Sequence, residues 1–459
     1  MQHELNDTAP CGLGDKSGST GRFANNYFDG IPVRGIHATL FFIIMAAYFF
    51  EQFDNWNFGF VAPALAQSWG LKPTDIATIL FWYFIGMTSG GFLGGVISDF
   101  IGRRPTFLIS IVIFSVSSVI TGFTDNFAIF TLFRALTGFG VFCMMVTSQA
   151  YIAEMAPCES RGMWQGRVAA VGFCAVPFVA LVCRMVIPMA DEAWRFIFYA
   201  GGLGIVPFVL GLKYLKESPR WLVAHGRIRE AEEVVSYLTG KDIDLSEAAK
   251  SVQPKIAVTD VLVGMFTRRY IGRTLLLLLL FVATTPATFL LTVWTTQLLK
   301  MLGFSVQETL TAMTIISIGV PAGCFLASLV SDLGGRKLPL AALAALAAIF
   351  ALIFGAMKSL VLLTLLGFTV TALVMAMGFT LFSYTAESYP TRMRNTATGF
   401  HNGLARLAVS GSQFFIPMIH AAHGFAGIFT TVAMLLFLPV IPLLLWGQRT
   451  GGKSLEEIE

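Results

Sequence analysis

Four ionisable side chains lie where the sequence is otherwise apolar: Glu51, Asp54, Arg134 and Arg406. In a hydrocarbon interior an unpaired charge costs between ~3 and ~15 kcal/mol, so each needs a partner or a wet cavity, and such residues are functional by default. Glu51 and Asp54 sit deep in an apolar run and, three apart, share one face of a helix. Two neighbouring carboxylates do not both hold a charge cheaply without a cation. One of them is therefore expected to take up and release a proton, the step a proton-coupled carrier requires. Arg406 belongs to a polar stripe, Asn402-x3-Arg406-x3-Ser410-x2-Gln413, whose steps of four, four and three keep it on one helical face. A guanidinium fork matches a carboxylate through two parallel hydrogen bonds. No acid lies deep in the apolar runs of the second half to neutralise Arg406. The expectation is that Arg406 binds an anionic substrate, with Asn402, Gln413 and Trp294 lining the same site. His401 is five residues from Arg406 and faces elsewhere, so it and His420 read as interhelical packing residues.

The elements that position these groups are membrane helices. Of 459 residues, 55% are hydrophobic and 13% charged. Soluble proteins are nearer a quarter charged, and one this poor in charge could not cover its surface. The mean hydropathy is +0.72. About twenty apolar residues make a span, and twelve such runs are expected: 36–62, 75–98, 105–123, 127–150, 163–187 and 194–214, then 273–298, 308–331, 338–357, 359–384, 395–420 and 424–446. The polar stretch 215–272 separates the two sets and reads as a helical linker, with helix-compatible spacing in Arg227–Val235 and Ser246–Lys250. Residues 1–35 and 447–459 read as tails. Lys72, Arg184, Arg195, Lys300 and Lys358 fall on one side of this scheme, and almost all other basic residues fall on the opposite side. That bias places the linker and both termini in the cytoplasm, in a multi-pass protein of the cell (inner) membrane.

The net charge of +4 comes from scattered residues with no basic motif, which argues against nucleic acid as a partner. The six Cys show no metal-ligand spacing and most lie in apolar runs. Nucleophile–base sets, metal clusters and phosphate loops are absent, so an enzyme and a self-contained ATP-driven pump are not expected. No cofactor is called for beyond a proton gradient.

An internal repeat organises the chain. GVISDFIGRRP (95–105) corresponds to SLVSDLGGRKL (328–338), and YIAEMAPCESR (151–161) to YTAESYPTRMR (384–394). Asp99/Asp332, Arg103/Arg336, Glu154/Glu387 and Arg161/Arg394 all share an offset of 233. One constant offset over two distant motifs describes two six-helix halves in parallel repeat, an arrangement that sets a substrate site at mid-membrane between them. The same offset maps Glu51 to Thr284, Asp54 to Ala287 and Arg134 to Gly367, and maps Arg406 back to Phe173. The loop charges repeat and the membrane charges do not, as expected if the first are scaffold and the second serve one proton site and one anion site.

These residues resemble the major facilitator superfamily. Gly95-x3-Asp99-x2-Gly102-Arg103-Arg104 is similar to its signature loop, with Phe100 where a basic residue is usual. Arg134-x3-Gly138-x-Gly140 resembles its helix 4 motif. Tyr151-x2-Glu154-x2-Pro157-x3-Arg161-Gly162, Glu217-Ser218-Pro219-Arg220-Trp221-Leu222 and Thr450–Ile458 resemble the sugar-porter branch. Ala169 and Ala283-Thr284-Thr285-Pro286 depart from that branch's substrate-binding positions, and Gly172–Leu181 lacks the glycine run of drug–proton antiporters. The helix 1 run Glu51-Gln52-Phe53-Asp54 through Pro63-Ala64-Leu65 is similar to the aromatic-acid and metabolite proton symporters.

The resemblance implies an all-α membrane protein of twelve helices in two pseudo-symmetric six-helix bundles with a cytoplasmic helical linker. It implies an Arg134–Asp54 pair in proton coupling, and a role for Arg406 like that of a helix 11 arginine in organic-anion carriers. It further implies an inner gate of interdomain salt bridges from Asp99, Arg103, Arg104, Glu154, Arg161, Asp332, Arg336, Glu387 and Arg394, to which Glu217 and Arg220 tie the linker. The expected function is proton-coupled symport of a small organic acid by a monomer contacting lipid. A porter of sugars, polyols or other neutral solutes is the alternative.

Overall fold

The computed structural model describes residues 28, 33, 35–157, 160–240, 244–245, 258–331, 333 and 335–448. Most of both tails, Ser246–Lys250, Asp332 and Thr450–Ile458 lie outside the described residues. Among those described, the regular elements are all helical. The first half runs α1 (Gly35–Trp69), α2 (Pro73–Ile101), α3 (Arg103–Phe123), α4 (Phe127–Met155), α5 (Arg161–Val186), α6 (Arg195–Gly201) and α7 (Ile205–Tyr214), the last two forming one span through a short 3-10 turn. The linker holds α8 (Pro219–Ala224), α9 (Ile228–Thr239) and α10 (Val258–Met265). The second half runs α11 (Ile271–Phe289), a π-helical turn (Leu290–Trp294), α12 (Thr295–Met301), α13 (Val306–Val330), α14 (Lys337–Ala356), α15 (Leu360–Glu387), α16 (Thr391–Phe437) and α17 (Val440–Trp446).

Several helices exceed their apolar cores. With 35 residues, α1 is longer than a bilayer requires, and Pro63 lies within it, where the hydropathy pattern ends the run at 62. Starts follow local chemistry. Asn126 accepts from the N–H groups of Ala128 and Ile129 at 2.9 and 3.1 Å to open α4, and Ser305 and Glu308 form a reciprocal capping box at α13. The long run of α16 contains Gly424 at φ 63, ψ −161, which is not helical. The chain turns there, at the boundary expected between spans eleven and twelve, so the eleven apolar helical runs among the described residues make twelve crossings.

The repeat is visible in the packing. On α2, a Cβ at Gly86 or Gly90 would run into the carbonyl oxygens of Ala135 or Phe139 on α4. On α13, a Cβ at Gly319 or Gly323 would run into those of Phe368 or Ala372 on α15. Each of these residues differs from its counterpart by 233. The backbones touch because glycine lets them, the usual means of close approach where lipid supplies no hydrophobic drive. Between the halves, α2 packs on α16 and α5 on α13, two contacts that exchange under the same symmetry. Outward-facing Phe42, Val96 and Phe325 are 60–67% exposed, the apolar surface that lipid covers.

Candidate transport site

Asp54 and Arg134 are wholly buried and meet at 3.5 Å. The Asp54 Oδ1 also accepts from Asn57 Nδ2 at 2.6 Å and from the Ser118 hydroxyl at 2.9 Å. Ser118 bridges onward to the Phe198 carbonyl at 3.0 Å, so α1, α3 and α6 converge on one carboxylate oxygen. The Arg134 guanidinium lies over Tyr83 at 4.6 Å and near Phe58 and Phe198 at 5.5 and 5.6 Å. Asp54 Oδ2 and Arg134 Nε and Nη2 remain without partners, so the pair is compensated only in part.

Glu51 is also buried, but its carboxylate goes elsewhere. Its Oε2 accepts from Gln52 Nε2 at 3.0 Å. Gln52 Oε1 accepts from Trp56 Nε1 at 2.8 Å and makes a long contact with Asn55 at 3.5 Å, and Asn55 Oδ1 accepts from the Tyr83 hydroxyl at 2.7 Å. The shared face expected for Glu51 and Asp54 is therefore divided: no hydrogen-bond partner is common to both. Helical spacing brings two residues to one side, but each rotamer then follows its nearest donor. A polar chain nevertheless connects them, from Glu51 through Gln52, Asn55 and Tyr83 to the face of Arg134.

Arg406 enters the same region from α16. Its guanidinium lies between the rings of Phe142 and Phe289, at 4.6 and 4.8 Å. Nη1 approaches Met87 Sδ at 3.7 Å, and Nε is buried without a partner. Among the described residues no carboxylate lies within ion-pairing distance of Arg406. Trp56 stacks on Phe289 with centroids 5.8 Å apart, and Phe84 meets the same ring edge-on at 4.9 Å. Trp294, in the π-turn, donates from Nε1 to Gln413 Oε1 at 2.7 Å. Asn402 sits one turn from Arg406, partly exposed, and joins none of these bonds. The Ser410 hydroxyl turns back to the Arg406 carbonyl. His401 is a packing residue, its ring nitrogens near the carbonyls of Ala397 and Thr274 at 2.7 and 3.2 Å.

Gln52, Asn55, Asn57, Tyr83 and Ser118 were not singled out from sequence. The dense polar run Glu51-Gln52-x-Asp54-Asn55-x-Asn57 was a signal for the first three. Nothing marks Phe142 and Phe289 among 42 phenylalanines.

A family model described as Major Facilitator Superfamily matches residues 44–412. The chain belongs to this superfamily. It is 28% identical over 444 residues to the inner membrane metabolite transport protein YdjE of Escherichia coli (strain K12), covering 94% of this chain and 97% of that protein. It is 25% identical to the niacin transporter NiaP of Acinetobacter baylyi, covering 94% and 98%. Its fold matches a partially occluded inward-open structure of the xylose transporter XylE from E. coli with a TM-score of 0.75 at 19% identity, covering 91% and 99%. The protein is a multi-pass membrane transporter of metabolites and not an enzyme.

The superfamily loop is assembled around Arg103. Its Nη1 reaches Asp99 at 2.6 Å and its Nη2 reaches Glu154 at 2.9 Å. In the second half Arg336 meets Glu387 at 2.6 Å. The resemblance implies bridges between halves, whereas these three pairs each lie within one half. Arg161 and Arg220 are also engaged, and Arg394 has buried Nε and Nη2 atoms without partners.

The linker is fastened to the first half through Glu217. This carboxylate accepts from the N–H groups of Arg103, Arg104 and Ser218 at 2.8–3.3 Å, capping α3. Burial pushes the carboxyl above its usual range, against the pull of those N–H groups. Gly102, at φ 108, makes the turn, and a Cβ there would strike the Glu217 carboxylate. Trp221 Nε1 donates to the Asp99 carbonyl at 2.9 Å, and Tyr151 donates its hydroxyl proton to the Lys216 carbonyl.

Proposed function

We propose that this transporter is a proton-coupled symporter of a small organic acid, working by alternating access with the linker and both termini in the cytoplasm. The observation that carries the reading is Arg406: a charge deep between the halves, held by two aromatic faces, with no carboxylate among the described residues within ion-pairing distance of its fork. A substrate carboxylate supplies the missing anion. Its arrival neutralises a charge that is costly in a low-dielectric interior and draws α16 toward α4 and α11. The niacin transporter among the relatives supports the reading, since niacin is a carboxylic acid.

Asp54 is the proton carrier in this scheme, with Arg134 as its counter-charge. Protonation cancels the attraction between them and leaves Arg134 held by the aromatic faces of Tyr83, Phe58 and Phe198. The chain from Tyr83 to Gln52 transmits that change toward Glu51, beside the substrate region. The bias of basic residues toward the linker side supports the orientation and an inner-membrane location.

A thermal-shift screen of purified protein against matched acids, amides and alcohols tests the substrate class. Stabilisation by an acid and not by its amide is expected. Stabilisation by uncharged sugars or polyols, with acids inert, would replace the reading by the neutral-solute porter, for which Gln52, Asn55 and Gln413 offer hydrogen-bonding groups.

A further inference from the structure

A cavity of about 600 Å³ opens on the linker side, away from the transport site. Its walls are the start of α3, the end of α7, and the linker helix α9. Seven charged side chains line it, and the two signs are used differently. All three acids are occupied. Glu217 caps α3 with backbone N–H groups. Glu230 is gripped by Arg227 through bonds of 2.7 and 2.6 Å, which hold its carboxyl below the usual range. Glu233 pairs with Arg229 at 3.5 Å.

The other three bases are not neutralised. The Arg104 guanidinium donates one bond, from Nη2 to the Leu212 carbonyl at 2.8 Å, and its Nε is buried without a partner. Lys216 Nζ stands over the Tyr237 ring at 4.4 Å, and Lys213 Nζ over Tyr214 at 5.0 Å. Aromatic faces hold these ammonium groups without cancelling their charge. Among the described residues, none of the three pairs with a carboxylate.

The rim has a different character. Ile101 and Leu212 line the cavity and are exposed, and the adjoining Phe100 is 82% exposed. These residues end spanning helices, so the rim lies at the depth where acyl chains meet headgroups. Phe100 occupies the loop position where a basic residue is usual. An apolar ring there suits an acyl chain and no soluble anion.

We propose that this cavity binds the phosphate headgroup of an anionic phospholipid from the linker-side leaflet. Arg104, Lys213 and Lys216 take the phosphate, and Phe100, Ile101 and Leu212 meet the chains. The site joins the superfamily loop to the linker. Arg104 follows Arg103, which holds Asp99 and Glu154, and Lys216 precedes Glu217, the cap of α3. A bound headgroup thus braces α3, α7 and α9 together on the first half.

The test uses the full chain in vesicles of phosphatidylethanolamine alone or mixed with phosphatidylglycerol. Retention of phosphatidylglycerol is read by native mass spectrometry and stability by thermal unfolding. The wild type is expected to retain phosphatidylglycerol preferentially and to unfold at a higher temperature in the mixed vesicles. A basic residue near an anionic surface contributes about 1 kcal/mol, so K213Q/K216Q should weaken retention roughly 20- to 30-fold. The double variant R268Q/R269Q, which removes two exposed charges outside the cavity, should keep wild-type retention. Equal losses in both double variants would mean diffuse surface attraction and would overturn the site, as would a wild type indifferent to phosphatidylglycerol. Glycerol 3-phosphate added to lipid-poor detergent solution should protect weakly. Protection equal to that of phosphatidylglycerol would assign the cavity to a soluble phosphate and end the lipid proposal.

Discussion

Arg134 faces Asp54 at 3.5 Å with neither side chain exposed to solvent. Charge-assisted bonds of this kind close to about 2.7–2.9 Å, so the pair is slack. Asp54 Oδ1 is drawn instead toward Asn57 and Ser118, and Arg134 toward the face of Tyr83. A carboxylate shared in this way can lose its counter-charge without the fold losing its packing.

Removing one partner leaves the other buried and uncompensated. Arg134→Ala should destabilise the protein by about 3–5 kcal/mol, and adding Asp54→Asn should restore much of that loss. Asp54→Asn alone should abolish uptake driven by a pH gradient while exchange of labelled for unlabelled substrate survives. Thermal unfolding of the four proteins in the cycle, with paired uptake and exchange assays, measures both. Gradient-driven uptake retained by Asp54→Asn would move the proton to Glu51 or remove it from the mechanism.

Arg406→Lys keeps the charge and loses the planar group that stacks between Phe142 and Phe289. A hydrogen bond to a charged group contributes about 1.5–3 kcal/mol, so binding of the acid substrate should weaken roughly ten- to a hundredfold. Calorimetry with an acid and its amide on both proteins reads the effect. The variant should discriminate less between the two ligands. A mild effect on both would sink the role of Arg406 as the anion site.

Glu217 caps α3 while burial disfavours its charge. Glu217→Gln keeps an oxygen for those N–H groups and sheds the buried charge, so it should cost less than about 1 kcal/mol. Glu217→Ala leaves the N–H groups without an acceptor and should cost about 1–3 kcal/mol. Hydrogen exchange at Arg103, Arg104 and Ser218 should quicken in the alanine variant and change little in the glutamine one. Identical exchange in both variants would show that the cap does not hold the linker.

Gly90 and Gly323 stand at equivalent points of the two halves, each against a carbonyl of the neighbouring helix. Valine at either position should force α2 from α4, or α13 from α15. Each substitution is expected to lower the unfolding temperature and the yield of folded protein, because overpacking costs about 1–3 kcal/mol or more. A tolerant response at one position only would mean that the halves are not packed alike.

The spans, the linker and the two-fold repeat could be read from the sequence because hydropathy and a constant offset are properties of the chain order itself. So could the exceptional status of Asp54, Arg134 and Arg406, since a bilayer makes any charge within it conspicuous. Helix ends were less legible: Pro63 sits inside α1 because the helix continues past its apolar stretch. The partners were decided only in three dimensions. Glu51 and Asp54 differ by three residues, yet one turns to Gln52 and the other to Ser118, because each carboxylate follows the donor within its reach. Phe142 and Phe289 become the walls around Arg406 because α4, α11 and α16 meet there, and no local pattern distinguishes those two rings from the other forty. Spacing along a helix sets which way a side chain faces, whereas the rotation and approach of the other helices set what it finds.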